Sequence, residues 1–264
     1  MKKYLVIGNP IGHSLSPKLH NYWIKHNNIK ATYKKQKLNE DEIESLISEI
    51  KKKKLNGINV TVPFKKKVIP YLDRLTLEAE NTQSVNTIYL NDDKIIGHNT
   101  DISGFEFGIK NSKFKISGKK IFILGAGGVA PSIIFALNKM KVSEIIISNR
   151  TKDKAESLRN SFKNLKVVDW GEIPEFDMII NATSLGLNKD DQINLDFSKV
   201  GKNKYFYDVI YNPKETSFLK TGKRIGNETE NGKLMFIYQA FTAFKVWHEV
   251  EPEINNEVIK LLDL

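Results

Sequence analysis

Apolar and polar residues follow two different periods along the chain. Continuous or alternating apolar runs, which are typical of strands, occur at 4–7, 57–62, 120–124, 144–147, 178–180 and 206–209. Apolar residues spaced three or four apart, which are typical of helices, occur at 17–24, 41–53, 101–111, 131–140, 152–162, 234–247 and 253–262. The runs at 85–90 and 94–98 predict a hairpin that turns at 91–93. Strands that alternate with helices in this way predict an α/β protein.

Two α/β domains account for this order of elements. The pattern changes near residue 101, where a helix leads through a polar, glycine-containing stretch into the strand at 120–124. From that strand onward, strands and helices alternate as they do in a doubly wound parallel sheet. We therefore predict an N-terminal α/β domain at 1–100, a Rossmann-type domain at 101–233, and C-terminal helices at 234–264.

Composition excludes several kinds of site. The 264 residues include no cysteine, which excludes disulfides, thiolate zinc sites and a cysteine nucleophile. The five histidines lack the spacing of metal ligands, so we expect no metal. No apolar run is as long as a membrane span, and the start of the chain does not resemble a signal peptide. We expect a cytoplasmic protein that binds no membrane.

The charge balance is basic, with 41 Lys+Arg against 31 Asp+Glu. Such a balance can indicate a nucleic-acid partner. Here the lysines are scattered, and the one dense run, at 51–54, ends a predicted helix, where the helix dipole favours cations. We therefore expect no nucleic-acid partner. The sequence leaves the oligomeric state open, and a homodimer is compatible with it.

A glycine-rich segment, Gly125-Ala126-Gly127-Gly128-Val129, lies between the strand at 120–124 and the helix at 131–140. In that position Gly125 permits a tight turn, and Gly127 lets the backbone approach a pyrophosphate. The helix that follows offers free N–H groups and the positive end of its dipole to an anion. This segment predicts a site for a nicotinamide dinucleotide.

The end of the next strand distinguishes NAD from NADP. An NAD site usually places Asp or Glu about 20 residues beyond the glycines, where it binds a ribose hydroxyl. This chain has Ser148-Asn149-Arg150-Thr151-Lys152 there, and its first acid is Asp153. A guanidinium can hold a 2′-phosphate through two hydrogen bonds, and Thr151 can donate another. The sequence therefore predicts NADP(H) as the cofactor.

Further motifs occur in an order and at a spacing that are typical of one family. They are 8–17 (GNPIGHSLSP), 59–65 (NVTVPFK), 85–87 (VNT), 97–104 (GHNTDISG), 149–151 (NRT), 181–186 (NATSLG), 208–213 (DVIYNP) and 239–240 (QA). Together with the glycine loop they extend over nearly the whole chain. In this order they resemble the motifs of the shikimate dehydrogenase family.

The resemblance implies a reaction and a set of site residues. The reaction is the reversible reduction of 3-dehydroshikimate to shikimate by NADPH, in chorismate and aromatic amino-acid biosynthesis. The domain at 1–100 would bind the substrate, the domain at 101–233 would bind NADP, and the C-terminal helices would pack back on the first domain. Implied substrate-binding residues are Ser14, Ser16, Asn59, Thr61, Asn86, Tyr211 and Gln239. Implied cofactor-binding residues are Gly125, Ala126, Gly127, Gly128, Val129, Asn149, Arg150, Thr151, Lys152, Thr183, Ile210 and Gly232.

Lys65 and Asp101 are the candidate catalytic pair. A ketone reduction needs a proton donor at the carbonyl oxygen as well as a hydride donor. On composition alone, Lys65 would be one solvated lysine in the run at 65–67, and Asp101 would be a charge at the start of a helix. The family motifs around both residues favour catalysis. Lys65 would pass a proton to the alkoxide, while Asp101 would hold Lys65 and bind a substrate hydroxyl.

Three departures from the family pattern stand out. Thr82-Gln83-Ser84 replaces a small apolar triplet, so packing near Asn86 is expected to differ. Pro131 stands where a basic residue is frequent, and Leu187 replaces a usual methionine. The segment 220–231 is slightly shorter than is typical, which weakens the alignment of Gly232.

The sequence is compatible with two alternative functions. A quinate/shikimate dehydrogenase would also accept quinate and often NAD; Arg150 argues against NAD, but no residue excludes quinate. A regulator that reads NADPH without turnover would not need Lys65 and Asp101, and the presence of both argues against it.

Overall fold

The computed structural model describes residues 1–188 and 190–263. The strands are β1 (Lys2–Gly8), β2 (Ala31–Lys37), β3 (Gly57–Val60), β4 (Arg74–Leu75), β5 (Thr87–Asn91), β6 (Lys94–His98), β7 (Lys120–Leu124), β8 (Glu144–Ser148), β9 (Leu165–Val168), β10 (Met178–Asn181), β11 (Tyr205–Asp208) and β12 (Glu228–Glu230). The α-helices are α1 (Ser16–His26), α2 (Ile43–Lys51), α3 (Leu77–Thr82), α4 (Asp101–Lys110), α5 (Ala130–Lys139), α6 (Lys152–Leu158), α7 (Ser217–Arg224), α8 (Lys233–His248) and α9 (Asn256–Leu261). Short 3₁₀ helices lie at Glu40–Glu42 and Ile69–Tyr71.

The chain divides into two compact units. The first unit combines residues 1–104 with the C-terminal segment that begins at Ile237, and the second extends from Phe105 to Phe236. The predicted return of the C-terminal helices to the N-terminal part of the chain is confirmed. Within the first unit, the indole Nε1 of Trp247 donates to the carbonyl oxygen of Ile88 at 3.2 Å. In the same way, Nε1 of Trp23 donates to the carbonyl oxygen of Glu253 at 3.0 Å.

The first unit is built on a mixed sheet with the order β2-β1-β3-β5-β6-β4. Strands β2, β1 and β3 are parallel, whereas β5 is antiparallel to both β3 and β6. β5 and β6 form the predicted hairpin, and its turn residues Asp92 and Asp93 have φ angles of 46° and 55°. Two successive left-handed residues are typical of a type I′ turn, which matches the twist of a hairpin. Isoleucines from β1, α2 and β3 form the core beneath the sheet: Ile7, Ile43, Ile47, Ile50 and Ile58.

A second apolar group in this unit consists of aromatic and histidine rings from β1, α1, β2 and α8. We call it the aromatic cluster; its members are Tyr4, His20, Trp23, Tyr33, Phe244, Trp247 and His248. The ring of His20 stacks on that of Tyr33, with centroids 4.2 Å apart and planes at 1°. Burial lowers the pKa of His20 to about 3, so at neutral pH it packs as an uncharged ring.

The second unit is built on a wholly parallel sheet with the order β12-β11-β10-β7-β8-β9. Counted from β7 along the chain, this is the 3-2-1-4-5-6 order of dinucleotide-binding folds, which confirms the predicted Rossmann-type sheet. In such sheets ligands bind outside the carboxyl ends of the strands where the order reverses, here between β7 and β10. A core rich in phenylalanine packs against the sheet: Phe122, Phe176, Phe197, Phe206 and Phe218.

Apolar periodicity did not predict every element. The elements it missed are strands β2, β4, β9 and β12 and helices α3 and α7. In β2 only Tyr33 is fully buried, so its sequence shows no alternation of apolar and polar residues. Other elements are shorter than predicted. Helix α9 begins at Asn256 rather than 253, because the side chain of Asn255 accepts the backbone N–H groups of Glu257 and Val258.

Candidate active site

A buried ion pair joins Lys65 to Asp101 within the first unit. The Nζ of Lys65 lies 2.5 Å from Oδ2 of Asp101. The two side chains are only 11% and 8% exposed, so little water screens their interaction. A lysine that belonged to the solvated run at 65–67 would be exposed, as Lys66 is. The structure therefore places the two predicted catalytic residues together.

The backbone around β3 fixes the position of Lys65. Strand β3 ends at Val60, so the predicted strand at 57–62 is two residues too long. The N–H of Thr61 still donates to the carbonyl oxygen of Ile7. The N–H of Phe64 donates to the carbonyl oxygen of Thr61, which closes a turn. Phe64 is buried and anchors this turn. Asn59 therefore lies within the strand, and Thr61 is the first residue beyond its end.

Asp101 is held by the segment that precedes α4. Its backbone N–H donates to Oδ1 of Asn99 at 3.1 Å. The Nδ2 of Asn99 in turn donates to Oγ1 of Thr82 at 3.0 Å and to the carbonyl oxygen of Ser84 at 2.9 Å. The triplet at 82–84, which departs from the family pattern, therefore supports the start of α4 through Asn99. Asp101 is also the first residue of α4, where the helix dipole favours a carboxylate.

Asn86 connects the carboxylate of Asp101 to the sheet. Its Nδ2 donates to Oδ1 of Asp101 and to Oγ1 of Thr100, both at 2.9 Å. Its Oδ1 accepts the backbone N–H of Thr100 at 2.7 Å and the hydroxyl of Thr87 at 3.1 Å. Asn86 is 3% exposed. Since Lys65 occupies Oδ2 of Asp101 and Asn86 occupies Oδ1, the carboxylate has a fixed orientation.

The side chain of Asn59 is also engaged within the unit. Its Nδ2 donates to the carbonyl oxygen of Asn86 and to Oγ1 of Thr87, both at 3.0 Å. Its Oδ1 accepts the hydroxyl of Tyr33 at 2.6 Å. Both amide hydrogens of Asn59 are thus donated to protein atoms, and the Tyr33 hydroxyl occupies one side of its oxygen. Tyr33 has no sequence signal, because it lies in β2, the edge strand that periodicity does not predict.

Ser14, on the loop between β1 and α1, lies beside Ser16, the first residue of α1. Their hydroxyl oxygens are 3.2 Å apart, and Oγ of Ser14 also accepts the backbone N–H of Ser16 at 3.3 Å. Leu15 occupies the N-cap position of α1, and Pro17 stands in its first turn, where the fixed φ of proline suits a helix.

The glycine loop of the second unit has no room for a side chain at Gly125, whereas Gly127 is open. Gly125 has a φ of +103°, and a Cβ there would lie 2.7 Å from Cγ2 of Thr183. Gly127 and Gly128 are exposed. Among the described residues, no acceptor pairs with the backbone N–H groups of Gly127 and Val129. A loop of this shape, with free N–H groups at the start of α5, fits the phosphates of a dinucleotide.

Pro131 takes the second position of α5, one turn beyond the glycines. It has no N–H, and the N–H of Ala130 is donated to the carbonyl oxygen of Gly127 at 3.1 Å. The first turn of α5 therefore contributes fewer donors than an ordinary helix start. The side chains that follow β8 carry further hydrogen-bond donors.

Arg150 and its neighbours follow the end of β8. Oδ1 of Asn149 accepts the N–H of Ala126 at 3.0 Å, which ties this segment to the glycine loop. Lys152 pairs with Asp169 at 2.7 Å, and this hydrogen bond raises the pKa of Lys152. Arg150 is exposed, and no side chain in the described part of the chain pairs with its guanidinium. Its five donors are thus available to an anion, while Lys152 is already engaged.

The ends of β10 and β11 hold a buried carboxylate that the sequence analysis does not identify. Oδ1 of Asp208 accepts Nδ2 of Asn181 and the N–H of Ile210, and Oδ2 accepts the hydroxyl of Thr216 at 2.6 Å. Burial raises the pKa of Asp208 to about 6 despite these donors. Oδ1 of Asn181 also accepts the hydroxyl of Thr183 at 2.7 Å. This network positions Thr183 and Ile210, two of the predicted cofactor residues.

Gly232 is the last of the predicted cofactor-binding residues along the chain. A Cβ at this position would lie 2.1 Å from the carbonyl oxygen of Val209, so no other residue fits. Its N–H donates to the carbonyl oxygen of Ile210 at 3.1 Å, which places it beside the β11 end. The ring of Tyr211 stacks on that of Phe236, with centroids 4.1 Å apart. Gln239 lies on α8, in the first unit.

Membrane-spanning helices and metal clusters are both absent from the described part of the chain. Within 1–188 and 190–263, no helix combines the length and apolar character needed to cross a membrane. In the same ranges, no cluster of three or more histidine, aspartate or glutamate side chains is arranged to hold a metal ion.

Comparison with known proteins gives matches along the whole chain. Residues 6–88 match the family model described as "Shikimate dehydrogenase substrate binding domain". Residues 109–199 match the model described as "Shikimate / quinate 5-dehydrogenase". The chain is 57% identical over 263 residues to the shikimate dehydrogenase (NADP(+)) of Pelagibacter ubique (strain HTCC1062), covering 100% of this chain and 99% of that protein.

Solved structures agree with these matches. A crystal structure of a shikimate dehydrogenase in complex with NADP+ has a TM-score of 0.92 at 35% identity, covering 99% of this chain and 94% of that chain. The shikimate 5-dehydrogenase of Thermus thermophilus, in complex with NADP(H) and shikimate, has a TM-score of 0.89 at 27% identity, covering 99% and 97%. Sequence and fold agree over both units, and the chain belongs to the shikimate dehydrogenase family.

Proposed function

We propose that this protein catalyses the reversible, NADPH-dependent reduction of 3-dehydroshikimate to shikimate. This places it in chorismate and aromatic amino-acid biosynthesis, in the cytoplasm. The observation that carries the proposal is the buried pair of Lys65 and Asp101, oriented by Asn86. Family membership supports the substrate, and the pair supports catalysis over a purely sensory role.

Lys65 is the proton donor in this proposal. Reduction of a ketone places negative charge on its oxygen, and a proton must reach that oxygen. The ammonium group of Lys65 stabilises the charge and delivers the proton, and in the reverse direction the amine accepts the hydroxyl proton. Asp101 holds Nζ through Oδ2 and accepts a hydrogen bond from a substrate hydroxyl. The low exposure of both side chains strengthens these interactions.

The other polar side chains of the site bind the substrate. Ser14 and Ser16 present adjacent hydroxyls, a suitable arrangement for the substrate carboxylate. The remaining predicted contacts, to ring hydroxyls or the carboxylate, are Asn59, Thr61, Asn86, Tyr211 and Gln239. Because both amide hydrogens of Asn59 are donated to protein atoms, its remaining contribution is a lone pair on Oδ1.

The second unit fits NADP(H). The free N–H groups of Gly127 and Val129 suit the pyrophosphate, and Arg150 with Thr151 suits the 2′-phosphate. Other residues proposed to surround the cofactor are Gly125, Ala126, Gly128, Asn149, Lys152, Thr183, Ile210 and Gly232. When bound, NADPH supplies the hydride.

Substitution of Lys65 tests the catalytic assignment. Lys65→Met keeps most of the length of the side chain but removes the proton donor, and it should lower kcat for shikimate oxidation by about 10²–10⁴-fold. NADPH formation is followed by its near-ultraviolet absorbance. Lys66→Met is the matched control, because the neighbouring lysine is exposed. A Lys65→Met enzyme with wild-type kcat would refute the proposed mechanism.

Substitution of Arg150 tests the cofactor assignment. Arg150→Ala should raise KM for NADP by about 10–100-fold, as expected for the loss of charge-assisted hydrogen bonds, and leave KM for NAD unchanged. Arg159→Ala is the control, because this arginine is exposed and already pairs with Glu156 of α6. If Arg150→Ala affected both cofactors equally, the 2′-phosphate assignment would fail.

Substrate range is measured with the same assay. Initial rates with shikimate and with quinate, each with NADP and with NAD, separate a shikimate dehydrogenase from a broader quinate/shikimate enzyme. We expect turnover of shikimate with NADP. Absence of shikimate oxidation with either cofactor would instead favour a regulator that binds NADPH without turnover.

A further inference from the structure

We propose that Tyr33 is a positioning residue for the reaction, acting through Asn59 on the Lys65–Asp101 pair. This inference rests on the proposed function. The side chain of Tyr33 is only 2% exposed, and its hydroxyl donates to Oδ1 of Asn59 at 2.6 Å.

The placement of Tyr33 is fixed at three points. Its backbone N–H donates to Oδ1 of Asn21 at 3.0 Å, and its carbonyl oxygen accepts Nδ2 of Asn21 at 2.8 Å. Its ring lies flat against that of His20, with centroids 4.2 Å apart. Both partners belong to α1, so the helix holds the tyrosine against β1 and the hydroxyl has a defined direction. A group held in this way can orient a neighbour without moving itself.

The amide of Asn59 depends on that hydroxyl for its orientation. Its nitrogen faces two acceptors, the carbonyl oxygen of Asn86 and Oγ1 of Thr87. Its oxygen faces the Tyr33 hydroxyl. With the hydroxyl removed, a buried amide oxygen loses its donor, and the amide is free to rotate or to recruit water.

From Asn59 the network continues to Asp101 through two intermediate side chains, Thr87 and Asn86. The hydroxyl of Thr87 accepts from Asn59 and donates to Oδ1 of Asn86 at 3.1 Å. The Nδ2 of Asn86 then donates to Oδ1 of Asp101 at 2.9 Å. All the polar side chains in this path are buried, so water cannot easily replace a lost partner. A change at Tyr33 therefore alters the placement of Asp101, and with it that of Lys65.

Tyr4 supplies a matched control. It pairs with Tyr33 in the register of β1 with β2, and it is also 2% exposed. Its ring packs against Trp247 and His248 in the aromatic cluster. Among the described residues, none forms a hydrogen bond with its hydroxyl. Tyr4→Phe thus removes a phenol hydroxyl from a buried residue of the neighbouring strand without touching the network.

The test compares kcat, KM and thermal stability in Tyr33→Phe and Tyr4→Phe at a temperature well below unfolding. We expect Tyr33→Phe to lower kcat for shikimate oxidation by about tenfold, because small displacements of catalytic groups reduce turnover steeply. KM for NADP should stay within about twofold, and Tyr4→Phe should keep wild-type kcat. A Tyr33→Phe enzyme with wild-type kcat and only a lower melting temperature would overturn the inference.

A double-mutant cycle tests the path. If Tyr33 acts through Asn59, then Tyr33→Phe should cause no further loss of kcat in an Asn59→Ala background. Additive losses would show that Tyr33 does not act through Asn59. Lys65→Met separates this inference from the proposed function. If Lys65→Met is inactive while Tyr33→Phe is fully active, only the role of Tyr33 fails; if Lys65→Met is fully active, the proposed mechanism fails with it.

Discussion

His20 should make the stability of this protein fall steeply in mild acid. The imidazole is 1% exposed, and both ring nitrogens lack a hydrogen-bond partner in the described part of the chain. The groups around it are aromatic, and the one titratable group that adds to its shift is His248. Burial lowers its pKa to about 3. The folded protein therefore keeps His20 neutral at a pH where an unfolded histidine takes up a proton.

The size of this effect follows from proton linkage. An unfolded histidine titrates at about pH 6.5, so below that pH the unfolded state binds the proton and gains free energy that the folded state does not. At pH 5 the loss is about 2 kcal/mol, against about 0.2 kcal/mol at pH 7. A folded pKa one unit higher changes the pH 5 value by only about 0.1 kcal/mol, because His20 is still neutral there. The magnitude thus depends on the residue being buried and dry, with little dependence on its folded pKa.

His20→Phe measures how much unfolding free energy His20 costs the protein in mild acid. Phenylalanine keeps a flat ring against Tyr33 but does not titrate. Urea unfolding is followed by tryptophan fluorescence, since Trp23 and Trp247 lie in the same aromatic cluster, and the unfolding free energy is extrapolated to water at pH 7 and at pH 5. Wild type should lose about 2 kcal/mol more than the variant between the two pH values. The packing change caused by Phe affects the variant equally at both pH values, and His248 titrates in both proteins. Neither therefore contributes to the difference between wild type and variant.

A control and a contrary outcome complete the test. His13 is exposed, and His13→Phe should keep the wild-type dependence on pH. If His20→Phe and wild type lost the same free energy between pH 7 and pH 5, His20 would be protonated in the folded state, and the reasoning from burial would be refuted.

Three further predictions concern other parts of the chain. Gly232→Ala would bring a Cβ to 2.1 Å from the carbonyl oxygen of Val209, so it should destabilise the protein by about 3 kcal/mol and weaken NADP binding, measured by melting and by titration. Burial raises the pKa of Asp208 to about 6, so the free energy of unfolding should fall by about 3 kcal/mol as pH rises from about 4 to 6. Asp208→Asn should flatten that part of the stability–pH curve, and an unchanged slope would contradict this prediction. Thr82→Val removes an acceptor of Asn99, so the melting temperature should fall by an amount equivalent to about 1–3 kcal/mol, whereas Thr82→Ser, which keeps the hydroxyl, should lose less.

The order of elements in the second unit could be predicted from the sequence. Strand β7 and the glycine loop after it occur where apolar periodicity and turn chemistry predict them, and the observed strand order is the one expected of such a unit. Local signals suffice here, because buried parallel strands are continuous apolar runs and a tight phosphate-binding turn requires glycine at Gly125. Arg150 likewise follows β8 at the position where the choice between NAD and NADP is made.

The identity of the catalytic candidates was also available from the sequence, through the motifs that contain Lys65 and Asp101. Their relation to each other was not. The two residues are 36 positions apart, and the 2.5 Å distance between them exists because β3 and the start of α4 are brought together by the sheet. A lysine in a run of lysines gives no sign of its own burial.

Only the tertiary structure revealed the support beneath that pair. Tyr33 lies on an edge strand in which it is the one fully buried residue, so periodicity gives no reason to select it. Asn59 carries the signal of a substrate contact, yet both its amide hydrogens are donated within the unit. The physical reason is the same in each case. Local sequence determines backbone propensity and apolar pattern, whereas the pairing of buried polar groups depends on which strands become neighbours, and that is decided by the fold as a whole.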